Sequence, residues 1–246
     1  MNSRNALQAL GGAALALLGC AGSAATDVSS SAAVPAVFSR YASTVQVTVE
    51  NGMVVLRTND IPDHKSPYFG TTDSRYQAYN GSNANFGAAP GTISAQTYVF
   101  RIPLNPVKAA TPAATPLGPI GIAVNGVALF NQYNGQNRPL TVEINSFDQF
   151  NGHPTPTNEY HYHVEPLSIT QSAGTSALIG FLLDGFPVYG PVENGRRLTN
   201  ADLDQLHGHV GVTADYPNGI YHYHITDADP YINGAGFYGT SGTLGR

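Results

Sequence analysis

Tyr160-His161-Tyr162-His163 returns 61 residues further on (221 − 160) as Tyr221-His222-Tyr223-His224. In an extended strand successive side chains point to opposite faces, so His161 and His163 share one face and Tyr160 and Tyr162 the other. The same holds for His222 and His224 against Tyr221 and Tyr223. Two imidazoles on one face, with backbones about 6–7 Å apart, can turn toward one ion. Tyrosine and histidine also suit a half-buried strand that binds nothing, so one such tetrapeptide says little. Two of them, each preceded by further histidine, say more.

The surroundings of the tetrapeptides repeat as well. Gly121-Ile122-Ala123-Val124-Asn125-Gly126-Val127-Ala128-Leu129-Phe130 reads as a β-hairpin with an Asn-Gly turn, and Gly180-Phe181-Leu182-Leu183-Asp184-Gly185-Phe186-Pro187-Val188-Tyr189 as a second with an Asp-Gly turn. Asp148-Gln149-Phe150-Asn151-Gly152-His153 then precedes the first tetrapeptide, and Asp204-Gln205-Leu206-His207-Gly208-His209 the second. The order is the same in both halves, a hairpin, a DQxxGH segment and a YHYH strand. We therefore expect an internal duplication, near 121–165 and 180–226, packed with pseudo-twofold symmetry. Two repeats are too few for a solenoid, so one closed unit is expected.

Upstream, Val45 to Glu50 alternates, Asn51-Gly52 is a hairpin signal, and Met53 to Arg57 returns. Residues 59–68 hold two prolines and should be irregular, residues 70–95 should form a long surface loop, and Tyr98 to Ile102 reads as a strand. Five prolines between 103 and 119 mark a connector. Thr199 to Leu206 has the spacing of one or two helical turns. The fold expected is mainly β: a single compact domain over residues 43–246, built from two duplicated halves, with long loops and little helix. The 27 Gly and 17 Pro in 246 residues, with only 11% charged residues, agree with many tight turns.

The formal charge is −5 and no basic cluster is present, so nucleic acid is not expected as a partner. Arg4, the apolar run Ala13 to Leu18 and then Gly19-Cys20 read as a targeting signal, too short for a mature membrane span. Leu17-Leu18-Gly19-Cys20 resembles a bacterial lipobox, with Cys20 as the lipidated residue. It is the sole cysteine, which fits a thiol kept for lipid attachment and excludes a disulfide within the chain. Residues 1–19 are then a signal peptide and residues 20–42 a flexible tether, rich in Ala, Ser and Val. The expected location is the bacterial cell envelope, as a periplasm-facing or surface lipoprotein held to the membrane by its N-terminal lipid only. An ordinary secretory cut near residues 21–25 would instead free a soluble protein.

All eight histidines are candidate metal ligands: His64, His153, His161, His163, His207, His209, His222 and His224. Seven of them lie between 153 and 224, in matching places. Each half can build its own site, or the twofold can bring both tetrapeptides to one central ion. His207 and His209 sit two apart and can share a face. Asn151 stands where His207 stands in the second half, so one site is expected to be richer in ligands. With no free thiol and no methionine beyond Met1 and Met53, thiolate and thioether copper sites are disfavoured. Nitrogen donors favour copper(II) or zinc, and calcium, which wants a shell of oxygens, is disfavoured. Glu159, Glu165, Asp227 and Asp229 flank the tetrapeptides as acceptors that orient imidazoles or as an oxygen-rich side site. A purely hydrogen-bonded His/Tyr network that stiffens the sheet is the competing reading. The tyrosines read as core packing or, beside copper, as axial or redox-active groups.

At these motifs the chain resembles the YHYH-domain family of secreted and lipid-anchored bacterial proteins, over roughly residues 45–240. The resemblance rests on Asn59 to His64, Val124-Asn125-Gly126, Gly152-His153, Tyr160 to His163, Leu183 to Gly190, Leu203-Asp204, His207-Gly208-His209 and Tyr221 to His224. It implies the domain rather than an activity, and it draws His64 into the set of ligands. Family members often carry cysteines near the second DxxHGH segment and the C-terminal glycines. This chain has Leu206 and Ala235-Gly236 there, so no thiolate or disulfide role is expected.

The function expected is an extracytoplasmic lipoprotein that binds a transition metal, copper or zinc, for capture or delivery. A metal-dependent hydrolase or oxidase with a His-ligated centre is the alternative, its general base to come from Glu159, Glu165, Asp184, Asp227 or a spare histidine. No GxSxG or HExxH signature is present. A metal-free module binding surface glycans or proteins through its tyrosines is the third reading. No sequence feature identifies a protein partner.

Overall fold

Asn51 and Gly52 both adopt positive φ, 50° and 75°, as the two-residue hairpin turn they signal requires. The turn joins β1 (Gln46–Glu50) to β2 (Met53–Thr58), and β2 pairs in turn with β3 (Tyr98–Pro103). These are the first strands of a computed structural model that describes residues 33–234 and 236–246. The segment expected to be a signal peptide, Cys20 and the first part of the expected tether lie outside the described residues.

After β3 the chain crosses the proline-rich connector to β4 (Pro119–Ala123) and β5 (Ala128–Phe130). It continues through β6 (Gly152–Pro154), β7 (Tyr160–Tyr162) and α1 (Leu167–Ala173), the one α-helix among the described residues, which follows Pro166 and has no counterpart in the sequence reading. Then come β8 (Leu178–Leu182), β9 (Pro187–Tyr189), the short pair β10 (Val192–Glu193) and β11 (Arg196–Arg197), β12 (Gly208–Gly211), β13 (Ile220–His224) and β14 (Thr243–Gly245). Between Thr199 and Leu206 the helical signal gives one 3-10 turn, Asn200–Asp202, closed by a capping box between Thr199 and Asp202.

The strands form a four-stranded sheet, β1-β2-β3-β14, an eight-stranded sheet, β12-β13-β9-β8-β4-β5-β7-β6, and the isolated β10–β11 pair. The protein is therefore mainly β. Read outward from the antiparallel β4–β8 pair, the large sheet is the same in both directions. Each way a tight hairpin leads to a parallel pairing with a YHYH strand, and that strand pairs antiparallel with an edge strand. Both hairpins turn alike. Gly126 N–H donates to Ala123 O and Gly185 N–H to Leu182 O, with the glycines at φ 90° and 83°, where a side chain would be strained.

The two sheets share one core. Val54, Leu56, Phe100 and Ile102 from the small sheet cluster with Ile120, Ile122, Phe181, Leu182, Tyr160 and Tyr223 from the large one. The folded unit begins before the expected boundary at residue 43. Ala36–Arg40 is a 3-10 turn whose Val37 and Phe38 are buried, with Tyr41 beside them, and Phe38 stacks on Phe181 at 4.6 Å. Ala/Ser composition suggested a tether here, but two aromatic rings and a valine gain more from burial than an exposed linker would give them.

Candidate metal centres

The alternation within each tetrapeptide sets the chemistry of its two faces. Tyr160, Tyr162, Tyr221 and Tyr223 are buried on the core side, each with a polar partner. The first tyrosine of each motif donates to the aspartate of its own DQxxGH segment: Tyr160 to Asp148 at 2.8 Å, Tyr221 to Asp204 at 2.9 Å. The second meets the turn residue of its own hairpin: Asn125 Nδ2 donates to the Tyr162 hydroxyl at 3.1 Å, and Tyr223 donates to Asp184 at 2.6 Å. Burial raises all four phenols, so they remain protonated donors. Gly152 and Gly208 lie under these rings, where a Cβ would run into Tyr160 and Tyr221.

Asp148 also takes the backbone N–H groups of Phe150 and Gly152 and the Ser66 hydroxyl, so it ties the loop that delivers His153 to the ring that backs it. Asp148→Ala leaves these buried donors without an acceptor. We expect it to lower unfolding stability by about 3 kcal/mol or more, from about 1–3 kcal/mol per stranded group. Urea titration beside Asp148→Asn checks this, because the amide keeps one acceptor oxygen and should recover part of the loss.

The histidines turn the other way. His153 on β6 pairs across from His161 on β7, and His209 on β12 from His222 on β13. His163 and His224 complete the two groups, and one glutamate closes each. The ligand atoms of Glu143, His153, His161 and His163 lie within 4.8 Å of one another, as do those of Glu193, His209, His222 and His224. Each group is a four-donor set that could hold a metal ion. The two tetrapeptides are five strand spacings apart, about 24 Å, so they build separate sites and cannot share an ion.

Within the first group His161 Nε2 and His163 Nε2 stand 2.9 Å apart, and His153 Nε2 lies 3.2 Å from Glu143 Oε1. Within the second, His209 Nε2 and His222 Nε2 are 3.1 Å apart, with Glu193 3.4 Å from each. The Nδ1 ends are held by the same kinds of backbone carbonyl in both. His161 donates to Glu159 O and His222 to Ile220 O, two residues back along the strand. His163 donates to Asn131 O and His224 to Gly190 O, just past the preceding hairpin. A carbonyl only accepts, so Nδ1 carries the proton and Nε2 presents a bare lone pair. Burial depresses the basicity of these rings, His161 well below its usual value and His163 and His224 to about 4, so a second proton is not held near neutral pH. Two facing lone pairs without a proton repel, and a cation between them removes the conflict. His224 Nε2 is also buried without a hydrogen bond. A tetrahedral ion at the usual metal–nitrogen distance would separate its donors by about 3.3 Å, within the range observed.

The other candidates lie elsewhere. His207 occupies a left-handed position, φ 73°, matched by Asn151 at φ 66°. This interrupts the strand alternation and carries its ring to Thr226 and Asn200. Each group thus holds three histidines, and the second is not the richer one. His64 sits on the tyrosine side, 2.9 Å from the Tyr162 hydroxyl and against Phe150. The flanking acids are engaged away from the imidazoles: Glu159 with Arg246, and Glu165 and Asp227 with Arg197. Asp229 gives its carbonyl to Asn200, and Asp184 its carboxylate to Tyr223. The sequence reading missed Glu143 and Glu193. Their one signal is a shared Val-Glu pair, Val142-Glu143 and Val192-Glu193, between hairpin and DQxxGH segment in each half. Glu143 ionises more readily than usual. Burial opposes this, but the neighbouring His153, with His163 behind it, outweighs burial.

Cavities adjoin both groups. One of about 570 Å³ lies beside His153, His161 and His163, walled by Phe130, Pro90 and Val142. One of about 660 Å³ lies beside His222 and His224, with Arg40, Tyr189 and Asp215.

Comparison with curated proteins and with solved structures returns no match. The sequence model of one family, described as YHYH protein, matches residues 99–196 and 192–236, more than half of the chain and every residue of both groups. With both tetrapeptides, their supporting aspartates and their hairpins inside the matched region, the chain belongs to the YHYH protein family.

Proposed function

We propose that this protein holds two transition-metal ions, copper(II) or zinc, one in each His₃Glu group, and works in the cell envelope in metal capture or delivery. The observation that carries the reading is the facing Nε2 pair of His161 and His163, 2.9 Å apart with both Nδ1 protons committed to backbone carbonyls. The donor set of three imidazoles and one carboxylate suits a borderline ion, and four protein donors complete a tetrahedral shell, as in sites that hold rather than hydrolyse. The lipobox-like Leu17-Leu18-Gly19-Cys20 supports a lipid anchor at Cys20 and hence the location. A catalytic reading draws on the cavity beside His161 and His163, which leaves room for a substrate next to the ion.

Elemental analysis of the purified protein tests the proposal. Close to two ions per chain after equilibration with copper or zinc is expected, and fewer than a tenth per chain would reject it. Relaxation measurements on the loaded protein separate holding from catalysis, because a rapidly exchanging bound water appears only with an open coordination position.

A further inference from the structure

We infer that the two centres release their ions at different rates, and that the second is the exchange site, with His209 the ligand that detaches first. The inference rests on the metal-binding reading above and adds an inequality to it.

The matched histidines His153 and His209 differ in what holds them. The His153 side chain is 4% exposed and that of His209 31%. His153 Nδ1 is hydrogen-bonded to Ser146 Oγ at 2.8 Å, and the Phe147 ring lies edge-on at 4.8 Å. His209 Nδ1 has no hydrogen bond among the described residues, and the rings beside it are His222 and His224, its fellow ligands. Partners of this kind orient a metal-bound imidazole and change affinity about 10–100-fold when lost.

The strands beneath them differ too. His153 is followed by Pro154, whose ring fixes φ, and the 91–96 segment lies over that edge. Gly91 packs on Thr155 O, and Ser94 N–H donates to Asn158 O. On β12 the residue after His209 is Val210, 70% exposed, and Val212 beyond it is 67% exposed. A side-chain rotation of His209 into solvent therefore breaks one metal–nitrogen bond and little else. The ion keeps three donors and offers one position to an incoming nitrogen or sulfur donor, with no change of oxidation state. In the first centre the same step requires breaking the Ser146 bond and displacing Phe147.

The test uses the full chain loaded with two equivalents of zinc and mixed with excess 4-(2-pyridylazo)resorcinol, which colours on taking the metal. Two phases of equal amplitude are expected, separated by about tenfold or more. Glu193→Gln should accelerate the fast phase alone and Glu143→Gln the slow phase alone. A single phase for both ions, or a fast phase that answers to Glu143→Gln, overturns the inference. A second measurement needs no variant. Brief treatment of the zinc-loaded protein with diethyl pyrocarbonate, followed by peptide mapping, should modify His209 ahead of the other five ligands. Equal modification of His153 and His209 rejects the assigned order. Equilibrium dialysis separates the two levels of claim. No bound zinc defeats the metal reading itself, whereas two bound ions leaving together defeat only the inequality.

Discussion

Replacing His161 and His163 together by alanine should leave one tightly held ion per chain instead of two, with the remaining ion bound as in the parent. Both rings are buried, and they supply two of the three nitrogens of the first centre. Glu143 and His153 alone make a two-donor site, which cannot compete with water and buffer at low metal concentration. The second centre should not notice, because about 24 Å of sheet separates the two tetrapeptides and sites this far apart with no shared partners behave additively. Loss of His161 also removes its stacking on Phe130 at 3.9 Å, so some loss of stability is expected as well. Titration with zinc, read as ions bound per chain, decides the matter. Loss of both ions would mean that the centres are coupled. Retention of both would mean that the ions bind elsewhere.

The metal-free protein should lose several kcal/mol of stability between pH 6.5 and pH 4. The sign follows from the direction of the shifts. Burial lowers His163 and His224 from 6.5 to about 4 in the folded state, while the unfolded chain titrates near 6.5. Through that window the unfolded state binds more protons, so acid favours unfolding. The stabilising neutral form is fully present above 6.5 and its contribution is exhausted below about 4. At about 1.4 kcal/mol per unit, each ring contributes roughly 3 kcal/mol, and two of them approach the whole stability of a typical domain. His161 and His222 shift the same way for the same cause, burial, and add to the slope. Urea melts in the presence of a chelator at pH 7.5, 6, 5 and 4 should show a midpoint falling steeply in the middle of the series. A flat profile would mean that these rings are hydrated. Bound metal should hold the midpoint up at neutral pH, by about 4 kcal/mol per site at a thousandfold excess over the dissociation constant. That protection should vanish in acid as protons displace the ion.

Much of the fold was legible because it is written in short-range terms. Asn51-Gly52, Asn125-Gly126 and Asp184-Gly185 each marked a turn, and each turn closes a hairpin between adjacent strands. The period of two in Tyr160 to His163 separated a tyrosine face from a histidine face, and the structure keeps that separation. The same period misled at His207 and His209. The aspartate at position 204 accepts from the backbone of Leu206 and Gly208 and closes a turn, and within it His207 takes a left-handed conformation that sends its ring away from His209. Helix α1 escaped notice because its seven residues, Leu167–Ala173, carry no capping signal beyond Pro166. The tether was drawn too long because Val37, Phe38 and Tyr41 find their partners, Phe181 among them, some 140 residues away.

The sequence by itself determined the faces: which rings share a side of a strand, which residues turn a hairpin, and that two matching sets of imidazoles exist. These are properties of the pleat and of local φ/ψ preference, and they do not depend on what lies across the strand. Only the tertiary structure decided the grouping, because grouping depends on which strands become neighbours. β6 beside β7 and β12 beside β13 bring His153 and His209 to their partners. The hairpins between them push the two sets to opposite ends of the large sheet, and Glu143, on a 3-10 turn, and Glu193, on the two-residue strand β10, reach the groups from segments too short to carry a periodic pattern. Long-range pairing of this kind is set by burial of the shared core, which is a property of the whole chain.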